Sequence, residues 1–325
     1  MSESQKSIVS NTVAFQDITN TDLMKVIRNA HLIGFGESPH GVKEYFPIVR
    51  DVVRDLLGNG RRVLVLLEYE YWLNRLLDED LHGKTDNFVG CTFRDPVAGV
   101  FYGVGLHQFY RDLRTLNGTF PDRLSCRHFD LFMNPLNDER SERVRAIDQR
   151  KWDISRSIRQ LQKENKLDQF AAAREQFIFQ ESIEACRAFQ PDVTVMLAGS
   201  FHVSKQGGCP FGNVFVKPVM TRLAEYINEK PVSVRFSVLG GEFARLDYRN
   251  KTLVKVSVNC DEWGQEDHQI ELRNAIRELS GIAFITDLPN TIMPERLAES
   301  YTDWSKNYDY LVSVRHASPD LPLKQ

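Results

Sequence analysis

HLIGFGESPHGVKEYFPIVRDVVRDLLGNGRRVLVLLE, residues 31–68, reads as strand, helix, strand. His31–Gly36 is a short apolar run, and Arg62–Glu68 is a second one rich in Val and Leu. Between them Lys43–Leu57 carries apolar residues at 46, 49, 53, 56 and 57, the spacing of one helical face, and stops at Gly58-Asn59-Gly60. Two continuously apolar strands joined through a helix form a βαβ unit of a parallel sheet covered on both faces.

The same alternation extends outward. Strand-like runs recur at Leu124–Asp130, Val193–Gly199, Val232–Leu239, Val254–Val258, Ile282–Thr286 and Tyr310–Val314, and Thr21 or Asn20 can cap a helix over Asp22–Asn29. The expected fold is α/β, a largely parallel central sheet flanked by helices. Residues 138–190 lack any strand-like run and read as two long helices broken near Glu164-Asn165-Lys166, a helical hairpin inserted as a cap. Because strand-like runs continue from residue 31 to 314, residues 1–325 are expected to form one domain, although a prior of about 150 residues per domain would allow two.

Composition narrows the function classes. With 42% hydrophobic and 26% charged residues the chain is of ordinary globular type, and a net charge of −3 gives no basic coat for nucleic acid or an anionic membrane. The hairpin is locally basic, yet its signs are interspersed, which fits a solvated helical face. Five scattered cysteines include no CxxC pair. The first residues lack a charged n-region and an apolar h-region, so a cytoplasmic location is expected, with a small-molecule substrate as partner, no nucleic acid, no membrane, and self-association into a homo-oligomer left open.

Chemistry concentrates at strand ends. In open parallel sheets the carboxyl ends of the strands open into the binding crevice. Glu37 and His40 follow the first strand, Glu68 ends the second, His128 and Asp130 end the third, and His202 follows the fourth. Gly34 and Gly36 suggest a dinucleotide fingerprint, but its third glycine falls on Pro39. No HExxH, Walker loop or GxSxG elbow is present. Two carboxylates and two imidazoles facing one crevice suit activation of water, and they also suit a divalent metal.

These residues carry a family resemblance. GFGESPHGVKEYFPIVRDVVRDLL followed by VLVLLE resembles the opening of the erythromycin esterase family, with its GExxHG motif, arginine-bearing helix and strand ending in glutamate. FYRDLRTLNG with RHFD, VMLAGSFHV, and the terminal NYDYLVSVRHASPDLPL are similar to later segments of that family in the same order. The wider superfamily includes ChaN-type and TIKI-type proteins. The resemblance implies His40 as general base, Glu37 and Glu68 as orienting carboxylates, His202 as a second imidazole and Arg50 as oxyanion partner. Substrate contacts are expected from Ser38, Arg114, His128, Asp130 and Ser200, with no metal ligand and no cofactor assigned, a divalent metal remaining the alternative. One departure stands out: the family's first histidine of the fourth strand aligns with Gly199. The expected activity is hydrolysis of an ester, lactone or amide of a medium-sized natural product, with biosynthetic tailoring at the same site or metal or haem association as alternatives. Phe88, Phe93, Phe101, Tyr102 and Phe211 are candidates for an apolar pocket wall.

Overall fold

The computed structural model describes residues 3–84, 103–131, 148–208, 214–247, 252–258, 279, 281–289, 291 and 304–321. Its strands are β1 (Thr12–Phe15), β2 (Leu32–Glu37), β3 (Val63–Glu70), β4 (Leu124–Asp130) and β5 (Val193–Gly199), then β6 (Val232–Val238), β7 (Glu242–Asp247), β8 (Thr252–Ser257), β9 (Ala283–Asp287) and β10 (Tyr310–Val314). The helices are α1 (Glu3–Ser10), α2 (Asp22–Asn29), α3 (Tyr45–Gly58), α4 (Asn74–Leu81) and α5 (Val104–Thr119), then α6 (Gln149–Lys163), α7 (Leu167–Phe189), α8 (Val219–Ile227) and α9 (Trp304–Asn307).

Eight strands form one sheet in the order β1-β9-β10-β6-β2-β5-β3-β4, and β7 pairs with β8 apart from it. From β10 to β4 every neighbouring pair is parallel, and β9 runs antiparallel to both β10 and β1. The α/β sheet flanked by helices is therefore present. The eight expected strands lie within two residues of their observed bounds, and Thr21 caps α2 by accepting from the Met24 N–H. β1 and β7 have no counterpart among the expected runs. The first is a four-residue edge strand and the second carries three charges in six residues, so neither presents the apolar run of a buried strand.

Alternation along β3 explains how the sheet is filled. Val63, Val65 and Leu67 pack with Val49, Val53 and Leu56 of α3 and Leu113 of α5. Leu64 and Leu66 face the other way, into Ile178 and Ile183 of α7 and Val219, Met220 and Leu223 of α8. A side-chain period of two therefore carries the next even position, Glu68, to the α7 and α8 face.

Residues 149–189 do form two helices, but α7 is no appendage. It packs on β4 and β3 and is the crossover that returns the chain to β5. Only α6, laid on α7, keeps the character of a cap, and residues 138–147 of the expected hairpin lie outside the described residues. Among the described residues no helix is long and apolar enough to cross a membrane.

Gly34 and Gly36 have a packing explanation. A Cβ on Gly34 would lie 2.3 Å from Met220 Sδ and 2.8 Å from Val203 Cβ, and one on Gly36 would lie 2.6 Å from Val203 Cγ2. They admit the turn and helix that follow β5 to the sheet. On the opposite edge, His128 is buried between Tyr110 Oη, 2.8 Å from its Nε2, and the Glu70 carbonyl, 3.2 Å from its Nδ1. Burial pushes this imidazole down to about 3.

Gly34→Ala is expected to cost about 1–3 kcal/mol through overpacking, whereas Gly58→Ala, with nothing within 4 Å of the new Cβ, is expected to be neutral or to gain up to about 1 kcal/mol. Urea midpoints of the two variants distinguish them. The native His128 stays neutral until about pH 3, while the unfolded ring takes a proton below about 6.5. Its contribution is thus present above pH 6.5 and lost on acidification, by about 2 to 3 kcal/mol at pH 4.5. A shallower fall of stability with pH in His128→Asn checks this.

Candidate active site

The carboxyl ends of β2, β3 and β5 bring four of the expected residues together. Glu37 ends β2, and its Oε2 lies 2.7 Å from His40 Nδ1. The His40 side chain is 45% exposed at the crevice mouth, while Glu37 is buried. Partial burial works against charge on His40, yet the Glu37 hydrogen bond and the fields of Glu37 and Glu68 raise it above the usual imidazole range. The loop bearing His40 is fastened by residues far along the chain. Lys43 N–H donates to the Ser318 carbonyl, Ser318 N–H to Glu44, and Asp320 N–H to the Gly41 carbonyl. Asp320 also accepts from Gly105 and Leu106 at the start of α5.

Glu68, on β3, joins both halves of the site. Its Oε2 accepts from the Gly199 N–H, and its Oε1 lies 2.5 Å from Arg174 Nη2 and 3.1 Å from His202 Nε2. Arg174 forks onto Asp130, Nη2 to Oδ2 at 2.6 Å and Nε to Oδ1 at 3.0 Å. The other His202 nitrogen, Nδ1, pairs with Glu175 Oε1, and Glu175 Oε2 accepts from Val219 N–H at 2.6 Å at the N-terminus of α8. The result is a buried row of alternating charge, Asp130, Arg174, Glu68, His202, Glu175. Burial opposes each charge, but Arg174 and His202 hold Glu68 well below the usual carboxylate range. Glu175 and Glu68 push His202 up to about 10.

Gly199 sits at the meeting point. A Cβ there would lie 3.2 Å from both Glu68 Oε2 and His40 Nε2. The bare backbone thus lets the His40 ring and the Glu68 carboxylate come together over residue 199, where a side chain would press on both.

The remaining expected residues are dispersed. Arg50 pairs with Asp51 and with Asp112 of α5, tying two helices together. Arg114 pairs with Asp80 of α4 at 3.5 Å. His128 is the buried structural histidine of the sheet edge, and Asp130 is the Arg174 partner. Ser200 enters through its backbone, its N–H donating to the Glu37 carbonyl and its carbonyl accepting from Tyr308 Oη. Ser38 Oγ accepts from Arg235 Nη2 at 3.1 Å. Phe88, Phe93, Phe101, Tyr102 and Phe211 lie outside the described residues.

Four residues of the site escape the strand-end reading: Arg174 and Glu175 on α7, Arg235 on β6 opposite Gly36 of β2, and Tyr308, whose Oη is 3.4 Å from Arg235 Nη1. The signal for the first two is an Arg-Glu pair inside the apolar stretch FAAAREQFIF. As for a metal, among the described residues no group of three His, Cys, Asp or Glu side chains is placed to hold an ion. Glu68 is committed to two cations and a backbone N–H, and Glu37 to His40. The donor set does not fit a metal cage.

No protein-family model matches the chain, and no curated protein matches it. Solved structures do. A Bacillus cereus protein superposes with a TM-score of 0.68 at 14% identity, covering 98% of both chains. A succinoglycan biosynthesis protein gives 0.65 at 13% identity over 98% of this chain and 97% of its own. An erythromycin esterase variant in its open conformation gives 0.62 at 15% identity over 93% and 95%. At these identities the likeness is one of fold, and it runs through nearly the whole chain.

Proposed function

We propose that this protein is an erythromycin-esterase-like hydrolase that activates water at His40 to cleave an ester, lactone or amide of a medium-sized natural product. The observation that carries the reading is the His40–Glu37 pair, 2.7 Å apart, with Nε2 of the half-exposed ring on the side of Gly199 and Glu68. Glu37 accepts the Nδ1 proton and so fixes the tautomer whose Nε2 is a base. A water hydrogen-bonded to Nε2 would give its proton to His40 and attack the carbonyl carbon. The leaving group then takes that proton back from His40.

A developing oxyanion needs a donor. Arg50, expected in that role, is spent between α3 and α5, and Arg174 is spent on carboxylates. Arg235, midway along β6 opposite Gly36 and hydrogen-bonded to Ser38 of the His40 loop, takes the role in this proposal, with Tyr308 beside it. Cys126 offers no competing nucleophile, since burial pushes its thiol up to about 12.

Incubation with 4-nitrophenyl butyrate and with a macrolactone tests the reaction class by product mass. Hydrolysis adds one water, whereas a product lighter by one water assigns the site to tailoring by dehydration. His40→Ala is expected to lower kcat by about 100- to 10,000-fold with an unchanged circular dichroism spectrum. Retention of most activity overturns the mechanism. Because the His40 pKa is raised, kcat/KM of the wild type is expected to fall on acidification through a value above the usual 6.5.

A further inference from the structure

We propose that Arg174 and Glu175, neighbours on the crossover helix α7, are positioning residues that act through Glu68 and make His202 a fixed cation rather than a second base. This rests on the water-activating site described above.

The geometry assigns each hydrogen-bonding position in turn. Arg174 uses Nε and Nη2 on Asp130, and the same Nη2 reaches Glu68 Oε1. His202 Nε2 meets that same Oε1. With one oxygen held by two cations, Oε2 is left to the Gly199 N–H, on the side toward His40. Glu175 Oε1 forms a close ion-pair contact with His202 Nδ1, and its other oxygen is held by the Val219 N–H. Glu175 is 2% exposed and His202 6%. Burying so many charges is costly compared with an apolar packing of the same volume. Orienting one carboxylate oxygen beside the catalytic imidazole is a return that apolar residues cannot supply.

A buried imidazole with a carboxylate at each nitrogen stays doubly protonated, so His202 has no lone pair to offer a substrate. The charged and titratable groups facing it are Glu68 from β3, Glu175 from α7 and His40 from the loop after β2. Its positive charge lowers the proton affinity of His40. Neutralising His202 therefore raises it.

The test uses the full chain labelled with ¹⁵N-histidine, His202 being assigned by its loss in His202→Gln. The expected result is a doubly protonated His202 ring past pH 9, and a ring already neutral at pH 8 in Glu175→Gln. Titration of wild-type His202 near 6.5 overturns the proposal. In kinetics on 4-nitrophenyl butyrate, Glu175→Gln is expected to move the acid limb of kcat/KM to higher pH. A lowered plateau with an unmoved limb would mean a merely structural role and overturns it. Arg174→Lys keeps the charge but loses the fork, and is expected to lower kcat about 10- to 100-fold with KM little changed. An unchanged kcat overturns the role of Arg174. If the wild type fails to hydrolyse any ester, the hydrolase reading falls while the ¹⁵N titration still decides the state of His202.

Discussion

The attraction between Arg174 and two carboxylates from different strands is the contact on which the site depends. Asp130 ends β4 and Glu68 lies near the end of β3, and without a cation between them two buried negative charges would face one another. Removing one member of such a buried group costs about 3–5 kcal/mol, because its partners stay buried and unpaired. The guanidinium thereby fixes where α7 lies over the strand ends. The next residue on that helix, Glu175, fixes the turn after β5 through His202 and the start of α8 through Val219. One charged dipeptide thus sets two strands, a turn and a helix in mutual register.

Much of this was legible in the sequence. Apolar runs ending in Glu68 and Asp130, and the GESPHG and GSFHV segments, mark strand ends, and parallel-sheet topology converts strand ends into a crevice. Glu37, His40, Glu68 and His202 therefore follow from strand period and topology alone. What was not legible depends on helix orientation. Arg174 and Glu175 are adjacent on a helix, where a charged pair reads as solvent-facing, and only the packing of α7 on β3 and β4 turns them inward. Arg50, expected from the resemblance, and Arg114, expected as a substrate contact, each pair with an acidic residue on a neighbouring helix, Asp112 and Asp80. His128 shares a strand with Asp130, yet it is enclosed by Tyr110 and the Glu70 carbonyl, a partnership that no linear spacing reveals.

The glycines carry a related lesson. Gly34 and Gly36 carry the spacing of phosphate-binding glycines but lie within β2, where the backbone is bare because Met220, Val203 and Ser200 press against it. Gly199 is bare where the His40 ring and the Glu68 carboxylate close over it. The same residue type admits apolar side chains on β2 and polar ones at the end of β5.

The strap across the His40 loop bears on how the protein comes into being. The Ser318–Glu44 hydrogen bond joins positions 274 residues apart, and contacts of such separation form late in folding. During synthesis β2, β3, β4 and β5 can pair long before residues 317–320 leave the ribosome. A nascent chain would hold Glu37, Glu68 and His202 near one another, yet with the His40 loop still unfastened. The order of translation thus delays closure of the candidate site until nearly the whole sheet is in place.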